Sequence, residues 1–226
     1  MGSIDMEEAL LRERRSNNLV DHGNQSDESS APPSVTSIVI FSTFVAVLGS
    51  FNNGYAAAFT SSAEDGIIKE LGLSLPQYSI FGSISSIGSM IGALFSGKLA
   101  DFIGRKATMW LIDIFCILGW LSIFFAKAAW MLDLGKLLLG IGIGLQCFVA
   151  PVYIGEIAPK SIRGACTFAN EFMATVAMSM MYFVGNLIPW RILAAIGVAP
   201  CILQVLGLFF IPESPRWLVS SYLFLW

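Results

Sequence analysis

The chain has 226 residues, of which 55% are hydrophobic and only 13% charged, with a formal net charge of -3. A soluble domain of this length carries roughly twice that charged fraction, so the composition points to an integral membrane protein. The slightly acidic balance gives no nucleic-acid signature. Cys116, Cys147, Cys166 and Cys201 show neither metal-site nor disulfide-framework spacing and read as small apolar helix residues.

Residues 1–34 are polar and acidic and are expected to form a disordered cytosolic tail. They do not read as a cleavable signal peptide. Met1-Gly2 is followed by Met6 where a myristoylation motif needs Ser or Thr. Glu7-Glu8-Ala9-Leu10-Leu11 resembles an acidic dileucine sorting signal, a match that chance produces often.

A hydrocarbon core about 30 Å thick needs roughly 20 apolar residues per helix. Six stretches qualify: 35–59, 78–99, 107–126, 131–154, 167–188 and 192–211. The expected fold is therefore all-α and polytopic, with a bundle over residues 35–218. Arg12, Arg14 and Arg15, then Lys98, Arg105 and Lys106, then Lys160 and Arg163, then Arg216 fall on one set of ends, and only Lys69, Lys127 and Arg191 on the other. Basic loops stay on the cytosolic side, so both termini are expected there. Trp130 and Trp190 fall at the opposite ends, where interfacial aromatics belong.

Small residues crowd the second and fourth spans, with Gly88 and Gly92 in one and Gly140 and Gly144 in the other. Lipid supplies no hydrophobic drive for helix association, so small residues four apart promote close backbone packing. That spacing alone is equally compatible with a static bundle.

The second loop holds Asp101 and Arg105 four residues apart, on one face of a helical turn. Gly97 and Gly104 are expected to permit a tight turn there, with Asp101 stabilised by a helix N-terminus or a base from a neighbouring loop. Glu156 and Arg163 in the fourth loop, and Glu213 and Arg216 after the sixth span, are expected at the same membrane face. Singly, such pairs are solvated surface bridges worth ~0–1 kcal/mol. As three clusters on successive cytosolic loops they read as a gate that locks one mouth of a cavity.

GKLADFIGRK (97–106), PVYIGEIAPKSIRGA (151–165) and IPESPRWL (211–218) resemble the sugar porter family of the major facilitator superfamily. The stretches TFANEFMA (167–174), residues 187–218 and residues 75–106 narrow the resemblance to plant early-responsive-to-dehydration-like monosaccharide transporters. The resemblance covers about residues 37–218 and implies the N-terminal six-helix half of a twelve-helix carrier. Its members move glucose-like sugars through a site between two halves, often across the vacuolar membrane, with the plasma membrane as the alternative, and some couple this to protons. It implies no cofactor and no catalysis. The only histidine is His22, and no metal-ligand cluster or nucleophile–base pair is evident.

Charges inside a bilayer are costly and hence functional suspects. Lys136 occupies the place where sugar porters usually have Arg, and in proton-coupled relatives that base pairs with an Asp shortly after a Gly-Tyr pair. Here Gly54-Tyr55 is followed by Ala56-Ala57-Ala58. Helix counting keeps Lys136 away from Glu171, so Lys136 is expected to snorkel outward, towards Asp133. Glu171 stands where the family has a sugar-binding Gln, and it reads either as a substitute proton carrier or as an altered sugar ligand. Asp113 lies at similar depth with no assigned role.

After Leu218 the family continues into a charged linker and six further spans, whereas residues 219–226 are apolar. That ending is expected for a truncated or alternatively spliced product. The expected function is monosaccharide transport by alternating access. The alternative is a transport-inactive membrane protein that pairs with a full-length carrier or with itself.

Overall fold

The computed structural model describes residues 33–214 and 216–219, with side chains from Ser37 onward. The tail, its dileucine-like stretch, His22 and residues 220–226 lie outside the described residues. The chain divides into units 1–38 and 39–226. Of the first only the start of one helix is described, and the helical bundle belongs to the second.

Every regular element among the described residues is a helix: α1 Pro33–Ser62, α2 Glu64–Leu71, α3 Leu75–Ile103, α4 Arg105–Phe124, α5 Ala129–Ile157, α6 Arg163–Gly185 and α7 Trp190–Phe210. A helical turn comes after them at 216–219. Five of these, α1, α3, α4, α5 and α7, are long and apolar enough to cross a membrane. The 23 residues of α6 reach roughly 34 Å at about 1.5 Å per residue, enough to span, but Asn170, Glu171 and its hydroxyl residues lower its hydropathy. The six expected spans thus correspond to six long helices, five of which also satisfy the compositional requirement.

Two boundaries differ from expectation. The eight-residue α2 occupies a stretch that the apolar pattern leaves as loop. It opens with Glu64 and Asp65, closes with Lys69, and ends at Gly72 in the left-handed region (φ 62°), so its charges complement the helix dipole. The supposed loop after the second span is also mostly helix. Leu99, Ala100, Phe102 and Ile103 carry α3 on to Ile103, Leu and Ala being among the best helix formers, and the break is Gly104 alone, at φ 95°. Gly97 lies inside α3, where a Cβ would meet only the Phe148 ring at 3.7 Å. The tight turn therefore depends on Gly104 and not on Gly97.

α3 opens at Ser74, whose backbone N–H donates to Gln77 Oε1 at 2.9 Å, with Pro76 in the first turn, where its missing N–H costs nothing. Its glycines seat it on α5. A Cβ on Gly88 would stand 2.6 Å from Leu137 O, and one on Gly92 2.3 Å from Ile141 O. Reciprocally, Gly140 and Gly144 lie against Ser85 O and Ser89 O at 2.4 and 2.1 Å from their absent Cβ positions. Two glycine pairs thus face each other across one interface, and the backbones approach as lipid-embedded helices must. Gly119 on α4 and Gly135 on α5 repeat the device, each with the other's carbonyl 2.8 Å from its missing Cβ.

The core centres on Trp120, fully buried, with Tyr55 and Phe59 edge-on at centroid distances of 5.5 and 5.2 Å. Leu94, Phe95, Phe183 and Phe210 are more than half exposed, the surface that a lipid environment accommodates.

Candidate functional site

Arg105 opens α4 immediately after the Gly104 break. Its Nη2 lies 3.1 Å from Asp101 Oδ1, one turn back on α3, and 3.2 Å from Glu156 Oε1 at the end of α5. Nη1 donates to Ala100 O at 3.1 Å, at the open C-terminus of α3. Two partners differ sharply in environment: the Asp101 side chain is 73% exposed, that of Glu156 only 10%. The exposed pair contributes ~0–1 kcal/mol, whereas a desolvated charge deprived of its partner costs several times that. The Arg105–Glu156 bridge therefore dominates.

The segment after α7 completes the cluster. Ser214 Oγ donates to Glu156 Oε2. Glu213 Oε1 accepts the backbone N–H of Lys106 at 3.0 Å and that of Ser214 at 3.1 Å. The carboxylate thus caps the N-terminus of α4, where the helix dipole favours negative charge. A Cβ on Gly104 would stand 2.8 Å from Glu213 Oε2, so Gly104 serves both the turn and this approach. Trp217 Nε1 donates to Asp101 O at 2.9 Å, and Tyr153 OH to Pro212 O at 3.0 Å. Four segments are tied at one end of the bundle.

Of the six charges expected in this cluster, Asp101, Arg105, Glu156 and Glu213 come together. Arg163 and Arg216 are exposed at the starts of α6 and of the last turn and form no ion pair among the described residues. Asp101 finds its base in its own i+4 neighbour and not on another loop. Ser214, Trp217 and the capping role of Glu213 are invisible to sequence reasoning, because their partners are more than fifty residues away along the chain.

At the other end of α4, Arg191 Nη1 and Nη2 donate to Phe124 O and Ala126 O at 2.9 and 3.0 Å, while Nε donates to Glu70 Oε1 at 2.8 Å. Trp190 Nε1 donates to Glu70 Oε2 at 2.6 Å, so Trp190, at the start of α7, is a buried clamp residue. The Arg191 hydrogen bond, aided by that of Trp190, holds the Glu70 carboxyl below its ordinary value of 4.5. Sequence alone hides this clamp too, since Arg191 looks there like a plain loop charge.

Lys136 does not snorkel. It is 2% exposed, its Nζ donates to Ala56 O at 2.9 Å, and it lies 5.8 and 5.5 Å from the Phe59 and Phe81 ring centroids. The partner is a carbonyl just after Gly54-Tyr55, and two aromatic faces supply further negative potential. Position near the helix end suggests an outward path, but the rings of α1 and α3 enclose the ammonium first.

Glu171 is exposed on α6, and Asn170 Nδ2 donates to its Oε1 at 3.4 Å. Asn170 itself is buried and accepts from Ser50 Oγ of α1 at 2.6 Å. Glu171 therefore lies beside a helix contact, on a face with Phe168 and Phe172, whose rings stack at 6.0 Å. No group of metal-binding side chains occurs among the described residues.

Residues 36–222 match the family described as sugar (and other) transporter. In Arabidopsis thaliana, Sugar transporter ERD6-like 11 is 52% identical over 202 residues, covering 89% of this chain and 42% of that protein. Sugar transporter ESL1 of the same plant is 56% identical over 182 residues, covering 80% and 39%. The chain thus spans about two fifths of the length of these curated relatives. Among solved structures, the proton:xylose symporter XylE of the major facilitator superfamily, bound to 6-bromo-6-deoxy-D-glucose, matches with a TM-score of 0.75 at 23% identity, over 82% of this chain and 47% of that one. An inward-open form of XylE from E. coli matches at 0.72 and 23% identity, over 81% and 50%. At that identity the likeness is one of fold, and the chain covers about half of it.

Proposed function

The chain belongs to the sugar transporter family, whose members are not enzymes, and we propose that it forms the N-terminal half of a carrier moving glucose-like monosaccharides by alternating access. On this reading residues 35–218 are the membrane bundle, both termini are cytosolic, and the host membrane is that of the vacuole or the cell surface. The Arg105 cluster is the lock at the cytosolic mouth.

The observation that carries the proposal is the Arg105–Glu156 bridge with its Asp101, Glu213 and Ser214 partners. It joins the α3–α4 break, the end of α5 and the segment after α7. These bonds are electrostatic and reach the surface at exposed Asp101, so water can replace them as the mouth opens, whereas the glycine-packed helices beside them keep their contacts. Glu171, facing outward from α6, stands where a sugar hydroxyl or a proton from the opposite half would be met. An ionised carboxylate only accepts hydrogen bonds, and a protonated one also donates.

The test is uptake of labelled glucose by residues 1–226 in a cell lacking hexose uptake, beside a full-length relative. Entry above background supports transport by this chain. In the full-length context, Glu171→Gln separates its two roles: loss of pH-dependent uptake marks a proton carrier, gained affinity a sugar ligand. The exposed aromatic face of α6, with Phe168, Phe172 and Phe183, favours a second reading, a membrane protein that pairs with a full-length carrier or with another copy without transporting. Absent uptake together with co-purification of a longer carrier selects it.

A further inference from the structure

Asp113, in the middle of α4, is 1% exposed, and its Oδ2 has no hydrogen-bond partner among the described residues. It lines a small interior space with Asn52 and Asn53 of α1, Gln146 of α5 and Gln204 of α7. Gly49 lets the two glutamines converge, since a Cβ there would stand 2.1 Å from Gln146 Nε2 and 2.8 Å from Gln204 Oε1. Gly142 does the same for Cys116, whose Sγ is 2.7 Å from the missing Cβ. Four helices thus build a polar chamber inside the bundle.

The hydrogen-bond inventory of that chamber does not balance. Gln146 Nε2 is used, donating to Ala46 O at 3.3 Å, and Asn52 Oδ1 is used, accepting from Trp120 Nε1 at 2.8 Å. Left without partners are three acceptors, Asp113 Oδ2, Gln146 Oε1 and Gln204 Oε1, against one donor group, Gln204 Nε2. Buried polar atoms are normally paired, yet among these fully buried atoms three oxygens face only the two hydrogens of Gln204 Nε2. Turning the Gln146 amide over would only sacrifice its bond to Ala46.

The charge does not balance either. The titratable groups facing Asp113 are Cys116 on its own helix and Cys201 on α7. Asn52, Asn53, Gln146 and Gln204 are neutral, and Lys136, the one buried lysine among the described residues, is turned to Ala56 O and does not line the chamber. A lone carboxylate with no cation is the costly arrangement. The side chains pack closely around the carboxyl, and none of those lining the space is a cation.

We propose that Asp113 is a proton-binding site: in this packed state its carboxyl holds a proton and donates it to the orphaned oxygen of Gln204 or Gln146. One added proton removes the unpaired charge and supplies the missing donor. The proton comes from water and returns to it when the helices part and the chamber wets, leaving the carboxylate hydrated. The site stands independently of the sugar reading. Only its consequence, a proton bound and released with each helix rearrangement, rests on the carrier proposal.

The experiment is infrared spectroscopy of residues 1–226 reconstituted in lipid at neutral pH without sugar. The expected result is a carbonyl band of a protonated carboxylic acid, shifted by deuterium exchange, lost in Asp113→Asn and retained in Glu171→Gln. Asn reproduces the neutral acid in shape and donor, so Asp113→Asn is also expected to leave the thermal midpoint unchanged or raised. A band that survives Asp113→Asn, the absence of any such band, or an Asp113→Asn chain that fails to fold would each overturn the proposal. None of these outcomes depends on whether sugar is moved.

Discussion

Replacing Gly144 by Ala is expected to destabilise the bundle, while the same change at Gly155, on the same helix, stabilises it slightly. The Gly144 Cβ would fall 2.1 Å from Ser89 O and 2.9 Å from Ala93 N, against the 3.0 Å that real Cβ atoms keep. Both obstacles are backbone atoms of α3 and cannot rotate away, so the two helices must separate locally. Overpacking of this kind costs about 1–3 kcal/mol, and the upper end applies because the neighbouring Gly92 and Gly140 contacts open with it. Removing a helix-interior glycine returns about 1 kcal/mol, leaving a net loss of about 2 kcal/mol. At Gly155 nothing lies within 4 Å, so only the propensity gain of roughly 0.5–1 kcal/mol remains. The assay is reversible unfolding in mixed micelles monitored by tryptophan fluorescence. Equal shifts of the midpoint for the two variants would refute the interlocked-glycine account of α3 and α5.

The geometry sets three further outcomes. Gly104→Ala is expected to cost about 1–2 kcal/mol, because φ is positive there and the new Cβ meets the Glu213 carboxylate; the same unfolding assay measures it, and Gly97→Ala serves as the near-neutral control. Lys136→Met keeps the volume between Phe59 and Phe81 while removing a buried charge, so stability is expected to hold or rise, and a collapse of the thermal midpoint would show that the ammonium itself is required. Glu70 is held below its ordinary value by Arg191, so its contribution is present above pH 4.5 and lost as the pH falls through the lowered value. Hydrogen exchange over 64–71 is expected to quicken in that acid range, and Glu70→Gln to abolish the step.

The long helices are legible in the sequence because each needs a continuous apolar run, and the Gly88–Gly92 and Gly140–Gly144 spacings already mark the surfaces that meet. Asp101 and Arg105 are legible as a pair, since helical spacing alone brings them together. What stays hidden depends on tertiary placement. Nothing local says that Glu213 caps a helix beginning at Arg105, or that Arg191 closes the carbonyl end of that same helix. Lys136 misleads for a related reason: its distance from a helix end is readable, the aromatic rings enclosing it are not. The Asp113 chamber combines side chains from four helices, and only their convergence reveals the unpartnered oxygens gathered around the carboxyl.

The lock at the α3–α4 break is tested most directly by a double-mutant cycle on Arg105→Gln and Glu156→Gln, with unfolding free energies measured for the native chain, both singles and the double. Each single change is expected to cost about 2 kcal/mol, as for a hydrogen bond to a charged group, and the double to cost much less than their sum. A coupling of about 1–3 kcal/mol is the predicted result. Additivity within about 0.5 kcal/mol would contradict it and leave Arg105 an ordinary surface charge.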